Sequence, residues 1–157
     1  MLLVLDNTVM SNFALVGRAA WLPKFWPGKL VTSSDAWHEL QAGIRLGRIP
    51  EADWSWLAVL TLTEEEREIR DQLVPPLDEG EGACLALAQS RGYGFLTDDR
   101  VARREARRLG VPLSGTMGAL RSLVHEGHVS FDEANAALQE MVAFGYHSPV
   151  HDLSGLA

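Results

Sequence analysis

The chain has 157 residues, 46% of them apolar and 22% charged, enough for one soluble domain with its own core. No apolar run approaches the roughly 20 residues of a membrane-spanning helix, and a formal charge of −7 argues against a protein that coats nucleic acid nonspecifically. The single cysteine, Cys84, excludes an internal disulfide and a zinc cluster built on cysteine pairs, so a reducing cytoplasm is expected.

Met1 to Leu5 is too short for a signal-peptide core and has no basic residue ahead of it, so it reads as a buried strand over 2–5. A helix follows from Thr8 to Gly17. Lys29 to Thr32 forms a second strand that runs into a helix from Ser34 to Leu46, with Ser33 and Ser34 as helix caps. An edge strand is expected near 57–61. Thr63 with Glu66 makes a capping box that opens a charged helix. The pattern continues with a helix over 80–91, a strand over 93–96, an arginine-rich helix over 100–109, a short strand over 111–113, and helices over 116–126 and 131–143. No repeat, linker or low-complexity tract divides the chain. Residues 1–157 therefore read as one domain, with a core over 2–125 and a C-terminal helix and tail over 126–157. Short apolar runs alternating with helical periodicity imply an α/β fold, a central parallel sheet with helices on both faces. Ligands of such sheets bind outside the carboxyl ends of the strands.

Acids fall at those ends. Asp6 follows the first strand, with Asn7 and Thr8 behind it, and Asp98 and Asp99 follow Gly94-Phe95-Leu96-Thr97. Glu39 lies in the helix after the second strand, and Glu81 in the first turn of the helix that precedes the fourth. In a parallel sheet all of them can converge on one edge. Such a group repels itself, and a hard divalent cation with a preference for oxygen, magnesium or manganese, resolves the repulsion. Each acid also has a local reading. Asp6 can cap the helix that begins near Thr8. Glu79 and Glu81 suit a helix first turn through the dipole, and Asp98 or Asp99 can cap the arginine helix. Glu39 fits no such role, since it borders the apolar stripe of Ala36, Leu40 and Ile44, beside Trp37. The local readings do not jointly explain acids at successive strand ends.

Arg100, Arg103, Arg104, Arg107 and Arg108 share one helical face, with Val101, Ala102, Ala106 and Leu109 turned inward. Arg100 and Arg103, beside the Asp pair, are candidates to hold phosphates. The distal arginines read first as a solvated face, and the stripe as a whole also suits an acidic partner. His125 and His128, at a helix end, and His147 and His151, in the tail, read as surface residues, and His38 points away from the apolar stripe. Gly80-Glu81-Gly82 lacks the lysine and spacing of a phosphate loop. Trp54 and Trp56 read as packing residues rather than base-stacking platforms.

Five segments then resemble, in order, the signature of PIN domains: Leu5-Asp6-Asn7-Thr8-Val9-Met10-Ser11-Asn12-Phe13; Val31 to Leu40, ending Trp37-His38-Glu39-Leu40; Glu79 to Ala88; Phe95-Leu96-Thr97-Asp98-Asp99-Arg100; and Leu113-Ser114-Gly115-Thr116-Met117-Gly118-Ala119-Leu120. The last is similar to one PIN branch whose members are often described only as nucleic-acid-binding proteins. The resemblance runs from residue 2 to 125 and more weakly through the tail. It implies a three-layer α/β/α sandwich around a parallel sheet, an acidic pocket for Mg2+ or Mn2+, and cleavage of single-stranded RNA. It places Asp6, Glu39, Glu81 and Asp99 at the acidic catalytic positions, with Asp98 as an alternative to Asp99 or a fifth member. Asp6, Glu81, Asp98 and Asp99 are the implied metal ligands, and Thr8, Asn12 and Thr116 would hydrogen-bond to those acids from behind. The third acid is a glutamate where many PIN domains carry aspartate. Relatives of the VapC type are dimeric toxins held inactive by a small antitoxin, so a homodimer and an antitoxin partner are expected as well. Two other readings compete: a non-catalytic PIN-like module that binds RNA or protein, and an Asp-dependent phosphotransferase, which Asp6-Asn7-Thr8 faintly resembles but whose downstream glycine-bracketed aspartate is absent.

Overall fold

The computed structural model describes residues 1–150 and 152–154, so His151 lies outside the described residues. Among these, five strands form one all-parallel sheet: β1 (Leu3–Leu5), β2 (Leu30–Ser33), β3 (Ala58–Leu60), β4 (Gly94–Leu96) and β5 (Leu113–Ser114). Their order across the sheet is β3-β2-β1-β4-β5. The inner strands are buried along their length, as strands covered on both faces must be. β3 is the exposed edge expected near 57–61.

The helices are α1 (Asn7–Leu15), α2 (Leu22–Phe25), α3 (Ser34–Arg45), α4 (Glu64–Leu73), α5 (Glu79–Arg91), α6 (Arg100–Arg108), α7 (Thr116–His125) and α8 (Phe131–Ala143). α5 packs on β1, β2 and β4, flanked by α3, α4 and α6, while α1, α2, α7 and α8 associate as a second group, completing the α/β/α sandwich. Phe13, Leu85, Leu87, Phe95 and Leu120 are fully buried where the layers meet the sheet. No helix among the described residues is long and apolar enough to cross a membrane.

Two local differences from the sequence reading have physical causes. The strand expected over 111–113 lies at Leu113–Ser114, because pairing of Phe95 with Leu113 and Leu96 with Ser114 sets its register. Val111 instead donates its N–H back to Ala106 and closes the end of α6. A 3-10 turn at Ala19–Trp21 and the short α2 were not anticipated. Pro23 falls in the first turn of α2, where a missing N–H costs nothing.

β1 is the point at which the chain changes direction across the sheet. β2 and β3 lie on one side of it, β4 and β5 on the other. The crevice outside the carboxyl ends of β1 and β4 is thus the topological switch point, the position at which open α/β sheets bind ligands.

Candidate active site

Asp6 leaves β1 at this switch point. Its backbone is extended and it precedes α1, yet its side chain makes no capping bond. The carboxylate turns inward, 1% exposed, and Oδ2 accepts hydrogen bonds from Thr97 Oγ1 at 2.5 Å and Thr8 Oγ1 at 3.2 Å. Among the described residues, none donates a hydrogen bond to the buried Oδ1. A buried, unpartnered carboxylate oxygen is costly unless something positive meets it. The helix-cap reading of Asp6 does not describe this side chain.

The two aspartates after β4 differ. Asp98 is tied on both oxygens: Oδ1 accepts from the Thr116 N–H at 2.8 Å, and Oδ2 accepts from Asn12 Nδ2 at 2.8 Å and from the Thr116 hydroxyl. Its own N–H donates to Thr8 Oγ1 at 3.0 Å. Thr8, Asn12, Thr97 and Thr116 thus join α1, β4 and α7 through one polar network. Burial raises the Asp98 pKa, and its bonds to Thr116 and Asn12 oppose that rise. Asp99 caps α6, with Oδ2 accepting from the Ala102 N–H at 2.8 Å.

Glu39, in the second turn of α3, and Glu81, in the first turn of α5, come to the same crevice. Burial pushes Glu39 up to about 7, helped by the charges of Asp78 and Asp6 and opposed by the Gly80 N–H. Glu81 is raised as well, by burial first and then by Asp6, Asp78 and Asp99. Burial lifts Asp6 to about 6, with Asp78 adding to it against the bond from Thr97. The charges acting on these three acids are therefore other carboxylates in the crevice. Gly80 explains how α5 approaches so closely, since a Cβ there would collide with Glu39 Oε1. This is the role of the Gly-Glu-Gly segment that fitted no phosphate loop.

Asp78 is the residue that sequence reasoning overlooked. It caps α5, accepting from the Glu81 N–H at 2.8 Å, while Glu81 Oε2 accepts from the Asp78 N–H at 3.3 Å. The Asp78-x-x-Glu81 capping box was a readable signal, but it announced a helix start rather than a charge in the crevice.

Arg100 is exposed at the start of α6, whereas Arg103 directs Nη1 at two main-chain carbonyls, Thr97 at 2.7 Å and Ser114 at 3.2 Å. Arg103 thereby holds the ends of β4 and β5 together. Tyr146 lies near Asp98 and Arg103, its hydroxyl pKa raised by burial and then by the Asp98 charge. His38 is exposed, and His128 meets Glu126 at 3.5 Å. His125 lines a cavity of about 590 Å³ with Ser114, Arg121 and Phe131, and among the described residues its lining contains no carboxylate. Trp54 is buried and packs against Trp56, ring centroids 5.5 Å apart. Below the crevice, the buried Cys84 thiol meets Ser33 Oγ at 3.4 Å and the Leu5 carbonyl at 3.5 Å, and burial holds its pKa up at about 12.

Among the described residues, no three His, Cys, Asp or Glu side chains are already drawn close enough to enclose one ion. The donor set nevertheless fits a hard cation: all oxygen, mutually repelling, with one buried oxygen lacking a partner.

A family model described as a PIN domain matches residues 2–153. No curated protein matches the chain. Because the match covers nearly the whole sequence and includes every carboxylate of the crevice, the chain belongs to the PIN-domain family, a fold generally used by nucleases.

Proposed function

We infer that the protein is a divalent-metal-dependent endoribonuclease that cuts single-stranded RNA, and that it serves as the toxin of a type II toxin–antitoxin pair. The observation that carries the nuclease reading is Asp6 Oδ1, buried without a donor at the switch point and faced by other acids. Asp6 and Asp99 would hold Mg2+ or Mn2+, with Glu81 reaching in from α5. When bound, the cation supplies Lewis-acid stabilisation of the charge that develops on the phosphodiester and acidifies water at neutral pH.

The protein's own groups have separable tasks. Thr97 and Thr8 fix the Asp6 carboxylate through Oδ2 and so aim Oδ1 into the crevice. Asp98, bound on both oxygens, would act from behind by holding Thr116 and Asn12 in place. Glu39 and Glu81 would orient water at the site. The toxin role, with its small antitoxin and homodimer, is supported by likeness to VapC-type members rather than by the site.

The test is cleavage of labelled single-stranded RNAs with Mn2+, with Mg2+ and with chelator, beside Asp6→Asn. Metal-dependent products that disappear in a folded Asp6→Asn protein are expected. Equal cleavage by the variant, or no cleavage by the wild type with either metal, would overturn the reading.

A further inference from the structure

The acidic crevice poses a problem for a polyanionic substrate. A chain of net charge −7, with its carboxylates concentrated at the strand ends, repels the phosphates it would have to bring in. Five of its 14 basic residues lie within the nine residues of α6, and Asp99 caps the start of α6. Arg100, Arg104, Arg107 and Arg108 are exposed. Arg108 is paired with Glu105 at 2.8 Å, and Arg103 is committed to the carbonyls of Thr97 and Ser114. Among the described residues Arg100, Arg104 and Arg107 have no such engagement, while Ala102 and Ala106 bury the opposite face.

Resting on the ribonuclease reading, we propose that Arg100, Arg104 and Arg107 form a phosphate track that leads single-stranded RNA to the carboxylates from the α6 side. Residues three or four apart on a helix lie roughly 5–6 Å from one another, comparable with one sugar–phosphate repeat. Three guanidiniums in file can therefore meet three successive phosphates of one strand. Guanidinium is suited to this because its planar fork binds phosphate oxygens in pairs. The file starts beside Asp99, so a strand lying along it has its end phosphate delivered to the crevice. An acidic protein would satisfy the charges too, but it has no need of a file that terminates at the carboxylates.

The test is binding rather than cleavage. Affinity for a labelled oligouridylate about 12 nucleotides long, a length within the usual single-strand site range, is measured in chelator over a salt series. The proteins compared are the wild type, Arg100→Gln/Arg104→Gln/Arg107→Gln, and a control, Arg45→Gln/Arg48→Gln, altered at exposed arginines near the end of α3. Each single-strand phosphate contact contributes about 0.7 to the slope of log affinity against log salt, so the triple variant should lose about 2 from that slope. The control should keep the wild-type slope. Absence of RNA binding by the wild type, an unchanged slope in the triple variant, or an equal loss in the control would overturn the track. So would a triple variant that loses only binding to polyglutamate, which would assign the face to an acidic protein. Wild-type binding with the expected slope, in a protein that cuts nothing, would sink the nuclease reading and leave the track standing.

Discussion

Asp98 accepts hydrogen bonds on both carboxylate oxygens, whereas Asp6 leaves Oδ1 without a donor, so the same change should act on them in opposite ways. Asp98→Asn sets an amide N–H against the donors of Asn12 and Thr116. It should cost about 2–3 kcal/mol in urea unfolding, with or without metal. Asp6→Asn removes a carboxylate that burial already disfavours. In metal-free protein at pH 8 it should raise stability by ~2 kcal/mol, roughly 4–8 °C in Tm for a chain of this size. At pH 4, where Asp6 is protonated in the folded protein, the gain should vanish. A loss of stability at both pH values would show that Asp6 is held for the fold. Gly80→Ala is a third case. Its Cβ would meet the flexible tip of Glu39 rather than backbone, so Glu39 should swing aside at little cost. Cleavage should fall by roughly 10–100-fold while Tm moves by a few degrees at most. A large fall in Tm would mean that Glu39 cannot yield.

Helices announce themselves locally, and most of these did. The Thr63–Glu66 capping box is present with both of its bonds, Ser33 caps α3, and the arginine periodicity describes α6 to within a residue. Asp6, Asp98 and Asp99 were legible for the same reason, because each lies within three residues of the end of an apolar run. What could not be read locally was anything settled by pairing across the sheet. The register of β5, the reach of the exposed Asp78's charge to the crevice acids and the use of Arg103 as a tie between β4 and β5 all depend on residues remote in sequence. The joint between α4 and α5 is another such case. Glu66 does more than close its capping box, since both oxygens also bind Arg91 at 2.8 Å, and its carboxylate is 2% exposed. The bonds from Arg91 chiefly hold the Glu66 pKa down at about 2. Its stabilising contribution is therefore present above its unfolded value of 4.5 and is lost as pH falls toward 2. Arg91→Ala removes the main partner of the Glu66 carboxylate while opening it to water, and should destabilise the protein by about 1–2 kcal/mol at pH 7. Below pH 3 the difference from wild type should shrink in the same unfolding assay; a constant difference would assign the loss to packing alone.

Across the whole molecule the crevice acids and Glu66 titrate in opposite senses. Asp6 and Glu39 bind protons more tightly in the folded protein, at about 6 and 7 against unfolded values of 3.8 and 4.5. Their contribution is full below pH 4 and is lost as pH rises through 6 and 7, under the charge of Asp78 on both and of Asp35 on Glu39. Metal-free protein should therefore be most stable near about pH 5. Millimolar Mn2+ should raise Tm far more at pH 8 than at pH 5, by thermal melts at both. Equal shifts would place the ion away from these acids. The sulfur of Cys84 offers a way to watch the same event chemically. It lies against Leu5 and Ser33, under the seam between α5 and the strands that carry the crevice. A thiol reagent can reach it only in molecules whose α5 has lifted from the sheet, so the labelling rate counts those molecules. Since Asp6 sits on the sheet and Glu81 on α5, an occupant gripping both would fasten the seam, and the reaction of this one sulfur would slow in proportion to occupancy.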